Sequence, residues 1–163
     1  YYFRMSYEGY TEQKSNINVG STPTVTFSTV VVTVELKDSL GAYITTGADV
    51  MYYASGWKTF GTTSAAGTVT KELLPGNYHF RMTFLGGTEQ KSNINVGSAS
   101  TVTYQTGKVH DQAASPTCTQ YYASGWKTFT QDMELLPISY HFRFDDSSQI
   151  TMAIVAGTTN NLP

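Results

Sequence analysis

Between Asn77 and Phe84 the chain alternates without a break, with Tyr78, Phe80, Met82 and Phe84 on one face and Asn77, His79, Arg81 and Thr83 on the other. A period of two marks a strand with one buried face. Val30 to Lys37 obeys the same rule: Val30, Val32, Val34 and Leu36 face inward, Val31, Thr33, Glu35 and Lys37 outward. Further strands are predicted at Asp49–Ala54, Trp57–Thr62, Thr68–Leu73, Thr88–Val96 and Thr101–Gln105. Asp38-Ser39-Leu40-Gly41, Ala66-Gly67 and Pro75-Gly76 supply turn chemistry between them. No stretch sustains a helical period. About seven short strands separated by turns predict an all-β, antiparallel two-sheet sandwich of the Ig-like kind.

The pattern repeats. Thr11–Ser21 recurs letter for letter as Thr88–Ser98, and Tyr1, Phe3, Arg4 and Met5 fall on Tyr78, Phe80, Arg81 and Met82. Tyr52–Phe60 returns intact as Tyr121–Phe129, and Glu72–Pro75 with Tyr78–Arg81 returns as Glu134–Pro137 with Tyr140–Arg143. Self-similarity of this kind is the signature of a tandem array. It divides the chain into 1–28, the last three strands of an incomplete module; 29–107, a complete module; and 108–163, a shortened and degenerate copy. The third copy is short before its Tyr-Tyr block and between Phe129 and Glu134. Asp111-Gln112-Ala113-Ala114-Ser115-Pro116 stands where the alternating valines would be. It is therefore expected to lack a good first strand and most of a fourth.

Several of these residues carry a family resemblance. Val32-x-Val34-x-Leu36, a glycine-containing turn, Ala48-Asp49-Val50, Ala66-Gly67-Thr68-Val69 and Leu73-Leu74-Pro75-Gly76-x-Tyr78-x-Phe80 run in order through residues 29–107. The series resembles the Cna-B-type, or prealbumin-like, repeat of bacterial surface proteins, a pattern shared with carboxypeptidase-regulatory-like modules. The resemblance implies tandem prealbumin-like sandwiches serving as a stalk, adhesin or fibre unit at the cell surface. Such modules often carry a Lys–Asn isopeptide bond promoted by a buried acid. This chain departs from that feature: His79-Phe80-Arg81 supplies no acid after the Pro-Gly-x-Tyr element, and Lys37 falls on the outward face.

Composition narrows the function classes. Charged residues are 13% of the chain, against roughly 25% for an average globular protein, while aromatics are also 13%. A formal net charge of −2 and a pI near 5.9 leave no basic footprint for nucleic acid. No apolar run approaches the length of a membrane span. The lone Cys118 excludes an intrachain disulfide.

Candidate chemistry is sparse, and no enzyme, cofactor or metal is expected. His79 and His141 occupy one repeat position on the outer face of a strand, and His110 has no ligand spacing around it. Cys118 has no adjacent histidine, and the Asp145-Asp146 pair reads as a turn. The aromatic block places Trp57 and one neighbouring tyrosine in the core, since adjacent strand residues point opposite ways. Its outward members, taken from Tyr53, Trp57, Tyr122 and Trp126, are candidates for a glycan or subunit contact.

An apolar face without a domain at one end and a domain short of strands at the other suggest strand complementation. Tyr1, Phe3, Met5, Tyr7, Ile17 and Val19 are the expected assembly residues, completing the third copy of another subunit. The outcome would be an extracellular homopolymer, a head-to-tail helical filament. The alternatives are a stalk segment of a larger bacterial adhesin and a carbohydrate-binding sandwich.

Overall fold

The computed structural model describes residues 1–112 and 115–163. All regular structure is β. The hairpin β1 (Phe3–Tyr7) and β2 (Tyr10–Lys14) opens the chain and forms a two-stranded sheet. The first sandwich follows, with β3 (Val30–Lys37), β4 (Asp49–Tyr53), β5 (Trp57–Thr62), β6 (Thr68–Leu73), β7 (Asn77–Phe84), β8 (Gly87–Asn95) and β9 (Thr101–Gln105). One sheet has the order β6-β3-β9 and the other β5-β4-β7-β8, with β3 and β9 parallel and the remaining neighbours antiparallel.

The second sandwich holds β10 (Gly107–Asp111), β11 (Cys118–Tyr122), β12 (Trp126–Thr128), β13 (Asp132–Leu135), β14 (Ser139–Phe144), β15 (Gln149–Ala153) and β16 (Thr159–Leu162). Its sheets, β13-β10-β16 and β12-β11-β14-β15, repeat the order of the first. The all-β tandem-sandwich architecture expected from the alternation is the one observed.

Each sandwich has its own core. In the first, Val32, Val34 and Leu36 of β3 meet Tyr52, Tyr78 and Phe80, all fully buried. In the second, Val109, Tyr140 and Phe142 are the counterparts. Alternation on β3 predicted these inward residues, but Glu35 is buried too. Its carboxylate accepts bonds from Tyr43 Oη (2.9 Å) and Thr103 Oγ1 (2.6 Å), and Lys37 Nζ lies 2.8 Å away. Burial pushes the Glu35 carboxyl up, but these bonds together outweigh it and hold it below the ordinary value.

Three expectations need correction. Residues 107–162 do not lack strands: β10 and β13 fill the first and fourth places and pair with each other. The first strand went unseen because its inner face carries one large apolar side chain, Val109, between Gly107 and Asp111. The Asp111 carboxylate is buried by accepting the Cys118 N–H at 2.7 Å, and so counts as a core position despite its charge. Of the loop thought to replace that strand, Ala113 and Ala114 lie outside the described residues.

The third strand expected in 1–28 is absent as well. Residues 24–28 carry no strand pairing. Their repeat counterpart, β9, pairs only with β3 of its own module. The hairpin has no such neighbour, so Val25 and Phe27 join no ladder.

Trp57, finally, is not in the core. The Ser55-Gly56 turn pairs Tyr53 directly with Trp57, and directly opposed residues share a face. Tyr52 is fully buried, so Tyr53 and Trp57 are both turned outward. Phe60, three residues further along the strand, falls on the opposite face by plain alternation and supplies the core aromatic.

The outer strand β8 places Glu89 opposite Met82 and Lys91 opposite Phe80, hence on the inner side of a sheet edge. Inward charges on an edge discourage a further strand from adding there.

Candidate functional site

The most distinctive construction is the joint between successive units, and it occurs twice. At the first joint the tip of the β1–β2 hairpin, Glu8-Gly9, enters the end of the first sandwich. At the second, the tip of β7–β8, Leu85-Gly86, enters the end of the second sandwich. Both tips are two-residue turns with positive φ at each position: 52° and 84° for Glu8-Gly9, 48° and 87° for Leu85-Gly86. That is the type I′ geometry whose twist matches paired strands.

The contacts correspond one for one. Tyr52 Oη donates to the Glu8 carbonyl at 3.1 Å, and Tyr121 Oη donates to the Leu85 carbonyl at 3.1 Å. A Cβ on Gly9 would stand 2.7 Å from the Ala54 carbonyl and 2.5 Å from Lys58 Cε. On Gly86 it would stand 2.6 Å from the Ala123 carbonyl and 2.5 Å from Lys127 Cε. Glycine is required there on both counts, conformation and space. Beside each tip a threonine leading into the next module binds a glutamate of the receiver: Thr29 Oγ1 donates to Glu72 at 2.8 Å, and Thr106 Oγ1 donates to Glu134. Glu134 also accepts from Ser39 N (3.0 Å) and Ser39 Oγ (2.7 Å), tying it to a loop of the preceding sandwich.

Packing reinforces these bonds. Leu136 follows the last strand residue Leu135 of β13, yet it packs into the core of the first sandwich. Leu74, in the same repeat position at the first joint, is also fully buried. Between β9 and β10 the linker is the single residue Thr106, itself fully buried and bonded through its N–H to Lys37 O at 2.9 Å. A one-residue, buried, hydrogen-bonded linker leaves little freedom between the two sandwiches.

The electrostatics of the first joint centre on Glu8. Its carboxylate accepts from Tyr52 Oη at 2.6 Å and lies 3.5 Å from Lys71 Nζ. The Tyr52 bond, opposed by burial and aided by the Lys71 charge, holds the Glu8 carboxyl below its ordinary value. Burial and the same carboxylate push the Tyr52 phenol well up, so it stays a donor.

The residues expected to serve assembly are more open than their repeat counterparts. Tyr1, Met5 and Tyr7 are exposed, Phe3 and Ile17 half-buried and Val19 exposed. Their counterparts in the first sandwich, Tyr78, Met82, Phe84, Phe80 and Val96, are buried, and Ile94 packs on that core. Tyr1 and Ile17 exchange hydrogen bonds through N–H and carbonyl groups, 2.9 and 3.1 Å, continuing the hairpin ladder.

The outward aromatics form two equivalent ladders. Tyr53 meets Trp57 edge-on at 5.5 Å, and the Arg81 guanidinium covers the indole at 4.0 Å. Tyr122, Trp126 and Arg143 repeat this at 5.5 and 3.9 Å. A planar cation therefore already occupies one face of each indole. His79 and His141 sit beside these ladders; His141 Nδ1 shares a 2.7 Å bond with Thr151 Oγ1. His110 pairs with Asp132 at 2.7 Å. Asp145 accepts from Thr117 Oγ1 (2.9 Å), a residue distant in sequence, and Asp146 from Ser148 N (2.8 Å) within its own turn. Burial pushes the Cys118 thiol up to about 11, away from nucleophilic character. Among the described residues no group of three or more His, Cys, Asp or Glu converges as a metal site, and no helix is long and apolar enough to cross a membrane.

No family model matches the chain, and no curated protein matches it. Among solved structures it is similar to a streptococcal ancillary pilin, at 11% identity and a TM-score of 0.30, over 82% of this chain. The chain spans 62% of the length of that pilin.

The joint was the part that sequence reasoning missed. Two signals pointed to it. Leu74 and Leu136 each follow another inward leucine, and two successive strand residues cannot face the same core. Leu85 also occupies a left-handed turn position that favours Asn, Asp or Gly.

Proposed function

We propose that the chain is a non-catalytic structural segment of an extracellular or cell-surface stalk or fibre, in which Ig-like modules follow one another through a hairpin-in-cleft joint. The observation that carries this reading is the recurrence of the joint. The same tyrosine bond, the same glycine insertion and the same threonine–glutamate bond join hairpin to first sandwich and first sandwich to second. A repeated joint with a buried one-residue linker suits a load-bearing spacer, since each module then contacts its neighbours in a fixed way. The inward charges of β8 favour growth end to end over growth by lateral pairing.

In this reading the open face of Tyr1, Phe3, Met5 and Tyr7 is covered by strands equivalent to β3–β6, carried by a preceding module in the same array. A second reading, strand donation in trans, is favoured by the same open side chains. Its acceptor would be a set of β3–β6-like strands lacking their own β7–β9, and not residues 107–162, which already hold seven strands.

Electron microscopy of the chain and of a form lacking residues 1–28 separates the two. Monodisperse particles in both support the stalk. Filaments in the full chain that vanish on truncation would replace it with strand donation.

A further inference from the structure

The two joints share one frame but not one set of side chains, and their differences are paired. The first turn residue is Glu8 at one joint and Leu85 at the other. The residue facing it on the receiving strand is Lys71 at one and Met133 at the other. Glu8 and Lys71 make an ion pair at 3.5 Å, whereas the uncharged Leu85 and Met133 line one open cleft that they share with Asp132 and Glu134. Charge answers charge at the first joint, and an uncharged pair stands in its place at the second.

A second pair behaves the same way for volume. The residue after the turn is Tyr10 at the first joint and Gly87 at the second. The receiving residue is Gly76 at the first and Ile138 at the second. Tyr10 stacks on Tyr78 with ring centroids 4.9 Å apart, and a Cβ on Gly76 would run into the Tyr10 ring. At the second joint the Tyr140 hydroxyl fills the space over Gly87, and a Cβ there would meet it and lie 3.3 Å from Ile138 Cδ1. Where the hairpin is bulky the receiver is glycine, and where the hairpin is glycine the receiver is bulky.

These exchanges stand against letter-for-letter repetition of Thr11–Ser21, Tyr52–Phe60 and Glu72–Pro75 in their counterparts. Leu85 and Glu8 also hold left-handed backbone that their residue types disfavour.

We infer that the joint is keyed: a hairpin carrying Glu8 and Tyr10 recognises a module carrying Lys71 and Gly76, and a hairpin carrying Leu85 and Gly87 recognises one carrying Met133 and Ile138. The partner for each cleft is thus a hairpin of this same repeat bearing the matching pair. The inference rests on the reading of the chain as an array of docked modules. A mismatched hairpin would set Tyr10 against Ile138 and Glu8 against Met133, a collision and an unanswered charge. The converse mismatch would leave Lys71 without its anion and a void over Gly76. In an array of near-identical modules this fixes the order of docking and opposes swapping between copies.

The test uses the full chain and amide hydrogen exchange over Phe3–Lys14, referenced to β4 and β7 amides. An isolated hairpin is marginal in water, so its protection reports docking. Gly76→Ile is expected to accelerate hairpin exchange about ten-fold or more, since overpacking a filled space is destabilising. Tyr10→Gly also weakens docking, and Tyr10→Gly with Gly76→Ile restores it to within about three-fold of wild type, the non-additivity expected of contacting residues. Glu8→Leu or Lys71→Met alone accelerates exchange about two- to five-fold, as for a partly exposed ion pair, and the double exchange restores protection. This second set leaves the buried core untouched, so it remains decisive if Gly76→Ile disturbs the module. Doubles no better than the sum of their singles would overturn the key while leaving the array standing. A wild-type hairpin exchanging as fast as a free peptide would sink the array reading and the key with it.

Discussion

The hydroxyl of Tyr121 donates a 3.1 Å hydrogen bond to the carbonyl oxygen of Leu85, a residue of the preceding sandwich. Tyr121 is otherwise a core residue of its own module, 2% exposed. One side chain therefore serves two units: its ring closes one core and its hydroxyl holds the neighbour's hairpin tip. The left-handed backbone at Leu85 turns that carbonyl toward the tyrosine, so turn geometry and joint are a single arrangement.

Tyr121→Phe keeps the ring and deletes the bond. Hydrogen exchange at the β7–β8 turn is expected to rise about five-fold, corresponding to roughly 1 kcal/mol for a lost hydrogen bond. Tyr52→Phe removes bonds to both the carbonyl and the carboxylate of Glu8, so the hairpin there should lose more, about 1–2 kcal/mol, given that the carboxylate is partly solvated. Equal, negligible effects at both sites would mean that packing alone holds the joints.

Gly86→Ala introduces a methyl group 2.6 Å from the Ala123 carbonyl at a φ of +87°. Gly41→Ala supplies the control, because its φ is +88° and nothing lies within 4 Å. The control should cost about 1–2 kcal/mol for left-handed backbone alone. Gly86→Ala should cost that and a further 1–3 kcal/mol for the collision, read as a larger fall in thermal unfolding temperature. Matching falls would show that the tip can withdraw from the cleft without loss.

The strands of the first sandwich were legible because its inner faces are nearly all aliphatic or aromatic, so alternation and burial coincide. Where a buried position is polar they separate. Glu35 reads as outward until Tyr43, Thr103 and Lys37 close over it, and the strand at Gly107–Asp111 has too few apolar side chains to alternate visibly. Trp57 was misplaced because adjacency to the tyrosines says nothing of the turn that pairs it with Tyr53. The joint was least legible, since it is made by turn residues and backbone carbonyls whose partners lie in another module.

Leu136 offers a sharper test of coupling between modules. It belongs by sequence to the second sandwich and by packing to the first. Leu136→Ala is expected to destabilise the first sandwich by about 2–4 kcal/mol, the usual cost of a large-to-small core change. Exchange at β3 and β7 amides should accelerate more than at β11 and β14. The reverse order would place the leucine's contribution in its own module and make the sandwiches independent.

Acid should release the first joint. The Glu8 carboxyl, held down first by the Tyr52 bond and then by Lys71, has a folded-state value below 4.5. A depressed carboxyl adds stability that is present above its unfolded value and is lost as pH falls through the folded one. Hairpin protection should hold steady from about pH 7 to 5 and fall below about pH 4.5, the carboxylate range. Other acids contribute, among them Glu35 with the same sign and Glu89 with the opposite one, since burial pushes Glu89 up. The informative quantity is therefore the difference between wild type and Glu8→Gln, which keeps an acceptor for Tyr52 but has no charge to lose. Wild type should lose protection over Phe3–Lys14 in acid, and the variant should lose less. Superimposable profiles would show that the Glu8 charge contributes nothing to docking.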